Sequence, residues 1–241
     1  MNLNEAYNQI ITQRRAMRLY TSEIPNPNDV LQAIEWARLA PSSSNMQLYE
    51  FYVIRDIGKL QKLNEYCLNQ NTTRTAPEMI VVVARPDLWR QRAKYNADYI
   101  EKNHPKRTGI KGGSSVDYFR KLMPILYFND YFGVTGFFKK IMQFCIGLIK
   151  PTVREVSKSD VRVVVHKSAA LAAQNFMNGL KALGYDSCPI EGFDSLRVKS
   201  LLNLPFRAEI NMVISYGKGT PEGVYNKRIR VPLQDVLKVI E

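Results

Sequence analysis

Residues Val161–Asp194 read VRVVVHKSAALAAQNFMNGLKALGYDSCPIEGFD. Val161, Val165, Ala169, Ala172, Phe176, Leu180 and Leu183 recur every three or four positions, which predicts one long helix with a single apolar stripe. Gly184 follows as the residue that ends it. The run Pro189-Ile190-Glu191-Gly192 then reads as a tight turn, or as a loop offering backbone N–H groups to a cofactor.

Outward from that segment the chain is a mixture of helices and strands. Asn26-Pro27 opens a helix over NDVLQAIEWARLA, which Pro41 ends. Phe51–Ile54, Met79–Ala84 and Ile210–Tyr216 read as strands, the second apolar enough to be buried on both sides. Pro232–Ile240 reads as a short last helix, and a short amphipathic helix precedes Arg14. Helices outnumber strands without alternating regularly, so the expected class is α+β. At 241 residues the chain is expected to form a single domain spanning residues 1–241. The stretch Asn103–Ser159 opens with the basic, Gly-containing HPKRTGIKGG and then turns strongly apolar. It reads as an insertion, too short to hold its own core.

Composition narrows the function classes. Apolar residues make up 45%, which excludes global disorder. Lys+Arg is 34 against 22 Asp+Glu, a net charge of +12 that favours anionic partners. Three cysteines (Cys67, Cys145 and Cys188) without a CxxC pair argue against a disulfide scaffold or zinc ribbon. Two histidines (His104 and His166) are too few for a His-rich metal site, so no metal is expected. The N-terminus lacks an apolar signal region, and a cytoplasmic location is expected. The most apolar window, Tyr131–Ile149, is broken by Lys139 and Lys140. It reads as a buried or partner-facing helix, and no stable membrane insertion is expected.

Two basic clusters stand out: Arg14, Arg15 and Arg18 near one end, and Lys227, Arg228 and Arg230 near the other. Singly each reads as a solvated face; the functional alternative is that together they clamp one phosphate from two sides, for which arginine is suited because its planar fork donates two parallel hydrogen bonds. The polar turn Pro41-Ser42-Ser43-Ser44-Asn45 offers hydroxyl and amide groups to a ligand, or is an ordinary loop. Gly217-Lys218-Gly219 imitates a dinucleotide fingerprint, but the next glycine, Gly223, comes one position late and no helix opens after it. Neither a P-loop, GxSxG nor HExxH is present.

Read in order, these pieces resemble the FMN-dependent nitroreductase family. The resemblance is carried by RRAMRLY at Arg14–Tyr20, APSSSNMQLYEF at Ala40–Phe51, and Asn69-Gln70 ahead of Ala76-Pro77. It continues through the long helix into LGYDSCPIEGFD, then SYGKG and KRIRVPLQDV at Lys227–Val236. Each motif alone is weak; five in the right order are specific. The resemblance covers about the first 100 and last 80 residues.

The resemblance implies a mostly antiparallel central sheet flanked by helices, and an interwound homodimer with FMN bound at the subunit interface. Arg14, Arg15 and Ala16 would approach the phosphate and ribityl chain, with Arg228 and Arg230 closing from the other side. Arg18 would sit near the pyrimidine edge of the flavin, and Asn69, with Gln70 beside it, would bond that edge. Pro189, Ile190, Glu191 and Gly192 would form the loop in which Glu191 and Gly192 present backbone N–H groups to flavin N5 and O4. Pro41–Asn45 would come from the partner subunit. NADH or NADPH would be the co-substrate, and a small electron-poor acceptor such as a nitroaromatic or quinone would be reduced, with no nucleic-acid partner. The family alternative is a flavin-dependent dehalogenase or dehydrogenase. The rival of another class is a non-enzymatic binder of nucleic acid or an anionic membrane surface. The sequence departs from the family where Ala16 replaces a common serine and Leu48-Tyr49 replaces Pro-Trp. The insertion is expected to form a lid or part of the dimer surface.

Overall fold

The structure, a computed structural model, describes residues 2–103, 115–130 and 132–241. In chain order, α1 (Leu3–Gln13) and α2 (Pro27–Arg38) precede β1 (Tyr49–Ile54). Next come α3 (Ile57–Tyr66), α4 (Asn71–Arg74), β2 (Glu78–Ala84) and α5 (Trp89–Asn103). Then follow α6 (Ser115–Asp117), a π-helical turn (Tyr118–Leu122), α7 (Met123–Tyr127), α8 (Val134–Ile149) and α9 (Lys158–Ala182). The chain continues through β3 (Asp186–Ile190), α10 (Ser195–Leu201), β4 (Glu209–Gly217) and α11 (Leu233–Val236).

The four strands pair antiparallel throughout, in the order β1-β2-β4-β3. β2 is buried along its whole length, and the pleat sends its side chains to two separate cores. Ile80 and Val82 pack with α2 and α9, among Val30, Ala33, Ala172 and Phe176. Met79, Val81 and Val83 pack on the opposite face with Leu63 of α3 and Val198 of α10. The sheet is therefore the middle of three layers.

Small residues decide how closely α9 approaches α2. Ala169, Ala172 and Ala173 are fully buried, and a Cβ at Gly179 would meet the Trp36 ring at 2.9 Å and Ala33 at 3.3 Å. The cap signals act as read. Asn26 accepts from the Asn28 N–H, and Gly184 takes φ +82°. A buried carboxylate, Glu78, is matched by Arg55 Nε at 2.8 Å and by the Tyr216 hydroxyl at 2.5 Å.

Three expectations are corrected. The Pro189 segment is not simply a turn: Asp186–Ile190 is a strand, with Pro189 and Ile190 paired to Ile214 and Val213. Pro189 is tolerated because β3 is an edge strand. The last helix is one turn, Leu233–Val236, and its apolar residues are exposed, so little burial stabilises a longer one. Of the two readings of the Tyr131–Ile149 window, burial within this chain is the one corrected: the window is helical over α8 with its apolar side chains largely exposed, which leaves the partner-facing reading. The rest of the insertion packs through Val116, Phe119, Met123 and Tyr127 onto Trp89 and Ala93 of α5 and Val165 of α9. Its basic opening, His104–Gly113, and Tyr131 lie outside the described residues.

Candidate functional site

The chain leaving α1 runs along the outer edge of β3. Ala16 forms a parallel bridge with Ser187, and the Met17 N–H donates to the Ser187 carbonyl at 3.2 Å. Buried hydroxyls fix this segment from beneath. Thr72 Oγ1 donates to the Met17 carbonyl at 2.8 Å and lies 2.6 Å from Ser215 Oγ, which is 3.0 Å from the Tyr20 hydroxyl. On the other side the Arg18 N–H donates to the Gly223 carbonyl at 2.9 Å. A Cβ at Gly219 or Gly223 would collide with the Met17 side chain. These glycines therefore serve close packing against the Arg14–Arg18 segment, which explains a glycine run that imitates a dinucleotide fingerprint.

The tail returns Arg228 to the end of α1. Its guanidinium donates to the carbonyls of Thr12 at 2.7 Å, Arg14 at 2.8 Å and Ile11 at 3.3 Å, satisfying groups a helix C-terminus leaves open. Arg15 donates to the Asn226 carbonyl at 2.5 Å. The two basic clusters thus meet. Burial holds the Arg14 guanidinium below its ordinary pKa, and repulsion from Arg228, Arg230 and Arg15 adds to this. Among the described residues none of these four arginines has a carboxylate within ion-pair distance. Burial pushes the nearby Cys188 thiol up, opposed by its hydrogen bond to Thr72 and by the field of Arg18 and Arg14. A local excess of positive charge without an internal counter-ion suits an anion.

The loop before α4 closes the same region. Leu68 and Asn69 take φ of 61° and 51°, a left-handed pair that non-glycine residues adopt at a cost. Asn69 Oδ1 accepts from Asn64 Nδ2 at 2.9 Å. Gln70 Nε2 donates to the carbonyls of Cys67 at 3.0 Å and Gly192 at 2.9 Å, tying this loop to the end of β3. Among the described residues the N–H groups of Glu191 and Gly192 donate to nothing, and both residues are exposed. Arg18 turns its guanidinium onto the Ala16 carbonyl at 3.0 Å and over the Tyr225 ring, 5.1 Å from its centroid. The Tyr225 hydroxyl accepts from Asn71 Nδ2 at 2.9 Å. Sequence reading missed Tyr225, Thr72 and Ser215, because an isolated aromatic or hydroxyl carries no spacing signal.

Pro41–Asn45 lies elsewhere. Ser44 and Asn45 are left-handed, with φ of 52° and 51°. The Ser43 N–H donates to Ser168 Oγ on α9 at 3.2 Å, the Asn45 carbonyl accepts from Asn96 on α5 at 2.9 Å, and Ser44 Oγ is 2.6 Å from the Tyr118 hydroxyl. Among the described residues no hydrogen bond or ion pair joins this loop to the arginine cluster.

The chain matches the nitroreductase family model over residues 11–218. It belongs to the nitroreductase family. The matched span includes Arg14–Arg18, the Asn69-Gln70 loop and the Pro189–Gly192 segment, and it ends before Arg228. Among curated relatives of this nitroreductase-family chain, the protein DrgA of a Synechocystis species is 29% identical over 238 residues. That match covers 94% of this chain and 92% of DrgA. An NADH dehydrogenase of Thermus thermophilus is 27% identical, covering 93% of this chain and 91% of its own. Among solved structures, a protein from Exiguobacterium sibiricum 255-15 in complex with FMN superposes with TM-score 0.71 at 21% identity, covering 97% of both chains. That likeness establishes the fold.

Proposed function

We propose that this nitroreductase-family protein is an FMN-dependent NAD(P)H oxidoreductase. The observation that carries the reading is the convergence of Arg14, Arg15, Arg228 and Arg230 from opposite ends of the chain, crowded together without a carboxylate. That donor set fits the phosphate of FMN: charge-assisted, forked hydrogen bonds are what a phosphate accepts best. The unpaired N–H groups of Glu191 and Gly192, held by the Gln70 bond to the Gly192 carbonyl, fit a flavin edge that accepts hydrogen bonds. When bound, FMN supplies hydride acceptance from NADH or NADPH and delivery to an electron-poor acceptor such as a nitroaromatic or quinone. The chain's own residues bind and orient. Arg18 brings a fixed cation to the pyrimidine side, and Asn69 stands at the same edge on its left-handed backbone. Ala16, in place of a hydroxyl residue, leaves the arginines to hold the phosphate.

The functional unit in this reading is a homodimer. In one protomer the Pro41–Asn45 loop is anchored to α5 and α9, and among the described residues no hydrogen bond or ion pair joins it to the arginine cluster, which supports its serving the partner's site. In this reading the chain is one domain carrying the Asn103–Ser159 insertion, and the Tyr118–Ser44 bond supports a place for Tyr118 and Phe119 as part of a lid. Among the described residues no helix is long and apolar enough to cross a membrane.

The test is steady-state kinetics of the FMN-loaded protein with NADH or NADPH and a soluble quinone. Parallel double-reciprocal lines are expected, since both substrates use one face in turn. A holoprotein that consumes neither nicotinamide with any nitroaromatic or quinone acceptor would remove the oxidoreductase reading.

A further inference from the structure

The flavin reading leaves α8 unexplained. Its sequence, VTGFFKKIMQFCIGLI, contains two lysines and no acidic residue. At 3.6 residues per turn, Val134, Phe137, Phe138, Ile141, Met142, Phe144, Cys145, Leu148 and Ile149 fall within about 160° of the circumference, with no polar residue among them. All nine are exposed: Phe137 is 63%, Phe144 59% and Leu148 72% accessible. Thr135, Gly136, Lys139, Lys140, Gln143, Ile146 and Gly147 occupy the remainder. Soluble proteins rarely leave so continuous an apolar face uncovered. The face also adjoins an apolar cavity of about 820 Å3 walled by Trp89, Phe119, Ile125, Phe138 and Met142.

We propose that the exposed face of α8, with the cations beside it, is a docking surface for an anionic lipid bilayer, on which the protein adsorbs without crossing it. The pattern is that of an interfacial helix: aromatic and aliphatic residues on one side, lysines on the other. Charge selects the occupant. Lys140, Lys150 and Arg154 flank the face, while the Lys139 ammonium is turned onto the Leu126 and Phe128 carbonyls; the acidic neighbours are Asp130, Glu155 and Asp160, the last 3.6 Å from Lys140. The Asp130 carboxylate is turned to the N–H groups of Val134 and Thr135, at 3.1 and 2.7 Å. A two-fold contact between copies would set the same lysine-rich rim against itself, which is repulsive. An anionic headgroup layer meets that rim with the opposite sign, and the chain's net charge of +12 adds long-range attraction. At one helical length of 16 residues, α8 lies in the headgroup boundary and does not span it.

Cys145, in the middle of the apolar face, is the exposed cysteine, while Cys67 and Cys188 are buried, so α8 can be labelled selectively. The labelled holoprotein, carrying an environment-sensitive fluorophore at Cys145, is mixed with phosphatidylglycerol vesicles and separately with phosphatidylcholine vesicles. Co-sedimentation and a blue shift are expected with phosphatidylglycerol, weakening as salt is raised. Phe137→Ser and Phe144→Ser should each reduce partitioning about tenfold. Lys140→Gln and Lys150→Gln should each reduce it about fivefold while the apolar face stays intact. Unlabelled wild-type protein in the co-sedimentation arm controls for the label, and flavin content reports that each variant is folded. Absence of binding to phosphatidylglycerol vesicles, or salt-insensitive binding equal for both lipids, would overturn the proposal. So would an oligomer in vesicle-free buffer that Phe144→Ser takes apart, which would assign the face to a second copy of this chain.

Discussion

Arg14→Ala and Arg228→Ala should each weaken FMN binding about ten- to hundredfold. In the proposed site each guanidinium gives the phosphate a charge-assisted hydrogen bond, and losing one such bond costs roughly 1.5–3 kcal/mol. The two losses should not add simply, because both groups serve one phosphate and Arg228 holds the Arg14 carbonyl at 2.8 Å. Arg228→Ala carries a second cost, since it also releases the carbonyls of Ile11 and Thr12 that the tail caps. Arg14→Lys separates charge from geometry: it keeps the cation and loses the fork, so an intermediate affinity is expected. Flavin fluorescence titration of the apoproteins measures all three. Unchanged affinity in both alanine variants would take the arginine clamp out of the account.

Phe176→Ala should be the most destabilising single truncation, at about 3–5 kcal/mol. Phe176 is fully buried where α9 meets the sheet, with its ring 5.7 Å from that of Tyr216 and 6.3 Å from that of Phe51. The rigid sheet on one side and the close α2–α9 contact on the other limit collapse around the vacated space. In a chain of this length the loss should lower Tm by roughly 6–20 °C. Leu196→Ala, at a residue 78% exposed, is the control and should stay within about 0.5 kcal/mol of the parent. A Phe176→Ala loss below about 1 kcal/mol would mean that this layer is not the core.

What the sequence made legible follows from how local each signal is. The stripe from Val161 to Leu183 and the apolar run Met79–Ala84 report burial by period and composition, and both elements stand where they were read. β3 escaped notice because Pro189 masks a strand signal, and only its edge position makes that proline acceptable. The reading of the last helix is too long because Leu233, Val236, Leu237 and Ile240 repeat like a helix, although all four are exposed in the protomer. For the site, the two arginine clusters were visible as charge, and their meeting through Arg228 is the long-range contact the structure adds. The buried Tyr20–Ser215–Thr72 network and the Arg18–Tyr225 contact were not readable, since each joins residues far apart in the chain. The anchoring of Pro41–Asn45 to α5 and α9 is likewise a long-range contact that no motif states.

The central claim is that the arginine cluster holds the phosphate of a flavin mononucleotide, and a paired titration with FMN and riboflavin, followed by flavin absorbance and fluorescence, tests it most directly. Riboflavin carries the same ring and ribityl chain without the phosphate. The account predicts saturable binding of FMN with a perturbed flavin spectrum. It also predicts riboflavin binding weaker by about a hundredfold or more, the loss expected when two or more charge-assisted bonds are missing. Equal affinity for the two flavins, or binding of neither, would contradict it.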